Sequence, residues 1–423
     1  MNATDFPAVP AVPAAPAPRP VRPRRATAFG AALLAVLTVL TGVCALGVAA
    51  APAARADVVR DRQWGLDAVR AREAWRTTRG EGVTVAVLDT GVDAGHPDLR
   101  DRVLPGRDLV GFGAREGDEH WARHGTAMAG IIAGRGHGPG DTEGVLGVAP
   151  EARILPVRVL LEDGDPQRKR AREERGEALA EGIRWAVDHG ADVINLSLGD
   201  DSAAANPDPA EDAAVRYALA RGAVVVASAG NGGEDGDRAS YPAAYPGVIA
   251  VTAVDRTGAR APFSTRRWYA TVAAPGEDVV ITYPDGEYYE GWGTSAAAAF
   301  VSGCAALVRA AHPELSPAQI RELLTATARG TPPGGRSDAL GAGIVDPAAA
   351  IERGARVEPR PQVPAAVAHP KRYFGPGPAP EREDDAWPAP AAAAAGIALV
   401  VCAVLLYRGA RPPERAGGRP TTG

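Results

Sequence analysis

Four polar residues stand where apolar runs begin or end. Asp89 closes Val83-Thr84-Val85-Ala86-Val87-Leu88, and His124 opens a run of small and apolar residues. Asn231 follows the run from Ala223 to Ser228, and Ser295 opens Ala296 to Gly303. These residue types suit nucleophilic catalysis. A serine hydroxyl is a weak nucleophile at neutral pH. A histidine within reach takes its proton, and a buried carboxylate fixes the imidazole tautomer and stabilises its charged form. A fourth group must meet the oxyanion, and the Asn231 amide is suited to donate there with the Ser295 backbone N–H. Each residue alone also has a plainer reading: Ser295 as a helix cap, Asp89 and Asn231 as turn residues, His124 as a core histidine. A histidine acts as base only when neutral, so activity is expected to rise across roughly pH 6 to 7.5.

The elements around these residues decide between the two readings. Val83–Leu88, Ile154–Leu160, Ala191–Gly199, Ala223–Ser228 and Val248–Val254 are apolar runs rich in β-branched residues and read as strands. Thr271–Ala274 and Val279–Tyr283 read as short ones. Leu179, Ile183 and Val187 mark a helix face, and a second helix passes through Ala213, Val215 and Leu219. Trp64, Leu66, Val69, Ala74 and Trp75 suggest a patchy amphipathic helix. Ser316-Pro317-Ala318-Gln319 is a capping box, starting a helix that runs to about Ala328. Strands alternating with helices predict an α/β fold: a mostly parallel sheet covered by helices on both faces. Strand C-termini and helix N-termini meet at one edge of such a sheet, where ligands bind. Asp89, His124 and Ser295 all fall on that edge, which weakens the plain readings together.

Composition limits the remaining options. The 423 residues carry a formal net charge of −5 and 46% hydrophobic residues, ordinary for a globular protein and without the basic excess that nucleic acid requires. The three cysteines are Cys44, Cys304 and Cys402. Only Cys304 lies in the middle of the chain, where it reads as a small buried hydrophobe. His96, His120 and His137 have no metal-ligand spacing. The mixed run Arg168 to Arg175 reads as a solvated insertion, or more sharply as a cleavage or docking loop.

Residues 1–56 combine an Arg- and Pro-rich start, an apolar stretch and Ala54-Arg55-Ala56, the pattern of a secretory signal peptide. An uncleaved anchor is the alternative. One large domain is expected over 57–354, a Pro-rich linker over 355–390, a transmembrane helix over 391–407 and a basic cytoplasmic tail over 408–423. Trp387 before the apolar run and Arg408, Arg411, Arg415 and Arg419 after it fit a stop-transfer segment. The expected location is the cell membrane, single-pass, with the domain outside.

The motifs together resemble the subtilisin-type serine proteases, the subtilase family. The stretches are Val85 to Asp93 with His96-Pro97-Asp98-Leu99, His124-Gly125-Thr126, Ser228-Ala229-Gly230-Asn231 and Gly293-Thr294-Ser295-Ala296-Ala297. Their order Asp, His, Ser is that of subtilisin. The resemblance implies a serine endopeptidase with nucleophile Ser295, base His124, orienting Asp89 and oxyanion donor Asn231. It implies that Leu196, Ser197, Leu198 and Gly199 pair with an extended peptide, and that Ala229 and Gly230 help line a pocket for small or apolar side chains. No cofactor is implied. Calcium is common in the family, but no acidic loop here can be assigned to it. Two features depart from the pattern: Ala299 replaces the usual proline, expected in the helix's first turn, and there is too little chain between Ala56 and Asp89 for a folding prodomain. That shortness, the Gln63-Trp64 entry and the tail anchor resemble the mycosins, subtilases associated with type VII secretion, although their paired cysteines are missing. The expected partners are polypeptides, the membrane and secretion-machinery proteins. A scaffold with silent catalysis is the alternative function.

Overall fold

Side chains alternate across a strand, and this alternation sorts the central strands onto two cores. In β1 (Thr84–Asp89), Val85 and Val87 enter one apolar cluster while Ala86 and Leu88 enter the other. Val224 and Val226 part in the same way from Val225 and Ala227. Near-continuous β-branched runs are what a parallel sheet buried on both faces requires. This computed structural model describes residues 58–200, 202, 205–362 and 389–409. The expected signal segment, most of the linker and all but the start of the tail lie outside those residues.

The remaining strands are β2 (Arg107–Asp108), β3 (Arg135–His137), β4 (Glu143–Leu146), β5 (Arg153–Arg158), β6 (Val193–Leu196), β7 (Val224–Ser228), β8 (Ile249–Val254), β9 (Ala270–Pro275), β10 (Val279–Tyr283) and β11 (Glu287–Gly291). Six of them join β1 in a seven-stranded parallel sheet in the order β2-β5-β1-β6-β7-β8-β9. β3 with β4 and β10 with β11 form two antiparallel hairpins. One face of the sheet packs on the helices Arg123–Ala133 and Thr294–Ala311, the other on Ala178–Asp188 and Pro209–Ala220.

Several sequence expectations change in detail. The stretch from Trp64 to Trp75 is two short helices, Trp64–Ala68 and Ala71–Ala74, broken where Arg70 takes a left-handed φ of 57°. The strand expected from Ala191 to Gly199 stops at Leu196. The charged insertion contains a helix, Arg168–Glu174. The β10–β11 hairpin was visible only as its first half, because Glu287–Gly291 is polar and mostly outside the core.

Helix Thr294–Ala311 is long and apolar enough to cross a membrane, yet it is buried in the domain. Its composition reflects close packing on both sides rather than lipid. A Cβ added at Gly303 would lie 2.5 Å from Cβ of Val148. Cys304 is fully buried, and burial, with a smaller push from the charge of Asp346, drives its thiol well above its ordinary value, so it stays protonated. The separate helix Ala389–Gly409 presents Ile397, Leu399, Val400, Leu405 and Leu406 as exposed side chains. Gly303→Val is expected to lower stability by about 1–3 kcal/mol through overpacking. Urea unfolding measures this, and Val148→Ala should restore part of the loss.

Candidate active site

Asp89 lies two residues beyond Val87, so the alternation in β1 turns it toward the helix that carries His124. Its side chain is fully buried. Its two carboxylate oxygens lie 2.8 and 2.9 Å from His124 Nδ1, and the Thr90 N–H donates to Oδ1 at 2.7 Å. A carboxylate only accepts, so Nδ1 carries the proton and Nε2 is left as the basic nitrogen. The approach depends on Gly125. A Cβ there would fall 1.9 Å from the Gly91 carbonyl oxygen and 3.2 Å from Cβ of Asp89. Side chains from both segments hold the junction: Gly125 N–H donates to Thr90 Oγ1 at 3.2 Å, and Asp93 N–H to Thr126 Oγ1 at 2.8 Å.

Burial opposes a charge on His124, but the charge and hydrogen bond of Asp89, joined by the charges of Glu162 and Asp163, outweigh it and raise the imidazole to about 9. The window of roughly pH 6 to 7.5 expected from the sequence belongs to an unperturbed histidine. The structure moves it upward, because the neutral base must now form against the charge and hydrogen bond of Asp89 and, to a smaller extent, the charges of Glu162 and Asp163.

Ser295 begins the other helix on the same face. Gly293, at a φ of 139°, makes the turn into it. The Thr294 N–H and hydroxyl both donate to Asn231 Oδ1 at 2.9 Å. These bonds fix the orientation of the amide, so Nδ2 is its donor end. Among the described residues no acceptor meets the Ser295 N–H, one of the open amides of a helix start. Ser295 Oγ donates to the Ser197 carbonyl at 3.1 Å, and Ser197 Oγ donates back to the Ser295 carbonyl at 2.9 Å. Asn195 Nδ2 donates to Ser197 Oγ, and Ser302 Oγ donates to Asn195 Oδ1, each at 2.9 Å.

Asp89 and His124 are therefore paired, and Asn231 is tied to the residue before Ser295. The serine hydroxyl rests on Ser197 rather than on the imidazole. Ala299 lies in the second turn of the helix, not the first, and its nitrogen is the one that would bond the Ser295 carbonyl. That carbonyl is already bonded by Ser197, so a proline at 299 would leave it partnered. Sequence reasoning missed Thr294, Asn195, Ser302 and Glu162. One signal for Asn195 was present: it is the lone polar residue in a buried strand, on the face shared with Val193.

Of the substrate-binding candidates, Leu196 is a core side chain and Ser197 is committed to the network above. Leu198 is half-buried, its carbonyl accepting from Ser228 Oγ at 3.3 Å, and Gly199 is exposed. Ala229 and Gly230 are buried, and Gly230 N–H donates to Thr294 Oγ1 at 3.3 Å. Among the described residues no group of His, Cys, Asp and Glu is arranged to hold a metal ion. His137 pairs with Asp98 at 2.6 Å and buried His96 accepts the Asp98 N–H at 3.1 Å, which gives both a structural role.

The subtilase family model matches residues 80–343. The chain is a subtilase. Its relatives include subtilisin DY of Bacillus licheniformis, 39% identical over 276 residues, which are 65% of this chain and 92% of that protein. Among solved structures, MycP1 from the ESX-1 type VII secretion system superposes with a TM-score of 0.61 and 33% identity, covering 75% of this chain and 91% of that one. MycP3 from the ESX-3 system gives 0.57 and 34%, covering 71% and 90%. The protein is thus a subtilisin-like serine endopeptidase with mycosins among its structural neighbours.

Asn195→Ala should leave the buried Ser302 hydroxyl without its acceptor and take one donor from Ser197 Oγ, which keeps its bond to the Ser295 carbonyl, and cost about 1–3 kcal/mol in urea unfolding. The raised imidazole also predicts a stability trend. Its proton favours the folded state fully below the unfolded pKa near 6.5, and that contribution is lost as pH rises through about 9. The wild-type unfolding midpoint should fall across that window more steeply than that of His124→Gln.

Proposed function

We propose that this subtilase is a membrane-anchored endopeptidase of the cell exterior, cutting exported polypeptides in association with a type VII secretion system. The observation that carries the catalytic part is the buried Asp89 carboxylate held on His124 Nδ1. Asp98 and His137 form a pair of similar burial away from this edge, but Asp89 and His124 stand at the end of β1, on the sheet face that also carries the Ser295 helix, and there an oriented base accounts for the arrangement. In the reaction, His124 Nε2 takes the Ser295 proton as Oγ leaves the Ser197 carbonyl and attacks the peptide carbonyl. Negative charge grows on the substrate oxygen, where the Asn231 Nδ2 and Ser295 N–H donors meet it. The imidazolium, stabilised by Asp89, then protonates the leaving amine. Water repeats the sequence on the acyl-enzyme and frees Ser295. The chain supplies every group, so no cofactor enters. An extended substrate aligns its backbone along Leu198-Gly199 and beside Gly230.

The helix Ala389–Gly409 supports the anchor. Its 21 residues reach about 30 Å at the α-helical rise, the thickness of a bilayer's hydrocarbon core. It has no charge before Arg408, and arginines follow it. That order supports a cytoplasmic tail and an external peptidase. The secretion role rests on the likeness to MycP1 and MycP3.

A serine-reactive fluorophosphonate should label the full chain and leave Ser295→Ala unlabelled. An intact wild-type protein that resists labelling would favour the scaffold alternative. Asn231→Ala should lower kcat by about 10²–10³-fold with little change in KM, the magnitude known for subtilisin itself. Peptidase kcat/KM should rise with pH toward about 9, following the free-enzyme imidazole. Comparing the exported proteins of wild-type and Ser295→Ala cells tests the substrate class. Identical profiles would count against exported substrates.

A further inference from the structure

The segment after β5 touches the His124 helix in a way the reaction scheme leaves unused. That helix begins behind Ala122, which sits at a φ of 52° and offers no side-chain acceptor. The first-turn amides of such a helix are otherwise open. Glu162 Oε1 accepts the backbone N–H of His124 itself, at 2.8 Å. A carboxylate at a helix N-terminus also meets the positive end of the helix dipole.

Glu162 is held by the charged insertion. Arg168, on the inserted helix, donates to the Leu161 carbonyl and pairs with Asp163 at 2.7 Å. Asp165 is buried, and its carboxylate accepts the Ala114 and Gln167 N–H groups at 2.8 Å each. Leu161 and Ala171 form a small apolar cluster with Val110, and the Arg170 guanidinium lies 4.4 Å from the centre of the Phe112 ring. The run Arg168 to Arg175 is mostly exposed, as read from sequence, while Arg168 and Ala171 turn inward and brace the residues beside the base.

We propose that Glu162 is a positioning residue for His124: its carboxylate caps the open start of the histidine's helix and sets a second negative charge, besides that of Asp89, near the imidazole. This rests on His124 acting as the general base. The charged groups facing His124 are Asp89 from β1, Glu162 and Asp163 after β5, Arg168 from the inserted helix and Arg123 on its own helix. Asp163 is 93% exposed and paired with Arg168, so solvent and its partner weaken its effect. Arg123 lies over the Tyr283 ring at 5.2 Å. Glu162 alone joins a direct bond to the His124 backbone with a charge. The insertion therefore carries a consequence for chemistry: it adds to the larger effect of Asp89 in moving the enzyme's working range toward the alkaline side.

The test uses the full chain in detergent, with the pH dependence of fluorophosphonate labelling at Ser295 as readout. Glu162→Gln keeps an acceptor for the His124 N–H and removes the charge. Its labelling midpoint should move to lower pH by about half a unit or more, with a plateau rate within about threefold of wild type. Glu162→Ala loses the cap too and should show the same shift with a plateau about tenfold lower. Asp163→Asn should shift the midpoint less than Glu162→Gln. A wild-type midpoint in both Glu162 variants overturns the proposal, as does an alanine plateau equal to the glutamine one. If the alanine variant misfolds, Glu162→Gln decides alone. A second readout needs no catalysis: the pH-dependent fall in the urea midpoint assigned to His124 should begin at lower pH in Glu162→Gln. An unlabelled wild type whose unfolding still responds to Glu162→Gln rejects the enzyme reading and keeps the coupling. An unchanged unfolding profile rejects the coupling.

Discussion

A carboxylate removed from water is costly unless hydrogen bonds and an opposite charge answer it. Asp89 is answered by one imidazole nitrogen and the Thr90 amide, and most of the site depends on that arrangement. It fixes which histidine nitrogen is basic. It raises the proton affinity of that base. It also requires the His124 helix to come almost into contact with the end of β1, an approach that only a glycine at 125 allows. Strand, turn and helix start are therefore one unit, and disturbing any of them leaves a buried charge unpaired.

The serine side is built by the same means with neutral groups. Helix Thr294–Ala311 is so poor in bulk that other elements lie directly against its backbone, with Val148 over Gly303. Small residues place the helix deep, and polar groups set its position. Ser302, Asn195, Ser197 and Ser295 form a chain of hydrogen bonds running from the third turn of the helix to its first, through the end of β6. Thr294 bonds Asn231 in the loop just past β7. A buried network with every member paired specifies one geometry. Here it positions the helix start that bears the proposed nucleophile.

This division explains how a family-wide site is adapted in one chain. The groups proposed to act on substrate match the subtilase motifs. The groups that support them come from segments with no motif, above all the charged insertion after β5. In the proposed scheme the carboxylates of Glu162 and Asp163 add to that of Asp89 in strengthening the base, so a higher pH is needed to free it. The apolar helix at 389–409 and the buried helix at 294–311 have similar composition, and their surroundings alone distinguish them: one is packed in the sheet's core, while the other exposes its leucines and valines.

The sequence by itself determined the parallel α/β architecture, because β-branched runs alternating with helical periodicities leave few other ways to bury both faces. It also marked Asp89, His124, Asn231 and Ser295, because each interrupts an apolar run at an element's end. Strand parity placed Asp89 and Asn195 on particular faces, though Asn195 gained meaning only when Ser302 and Ser197 were seen beside it. Tertiary structure alone decided the rest. Glu162 lies 38 residues from the amide it caps, and no local pattern links the two. The left-handed Arg70 that breaks the first helix, and the second half of the β10–β11 hairpin, are likewise invisible to periodicity. The hydroxyl of Ser295 rests on a carbonyl 98 residues away. Hydrophobic patterning records which side of an element is buried. Hydrogen bonds between distant segments depend on where those elements come to rest, and the chain carries no local signal for that.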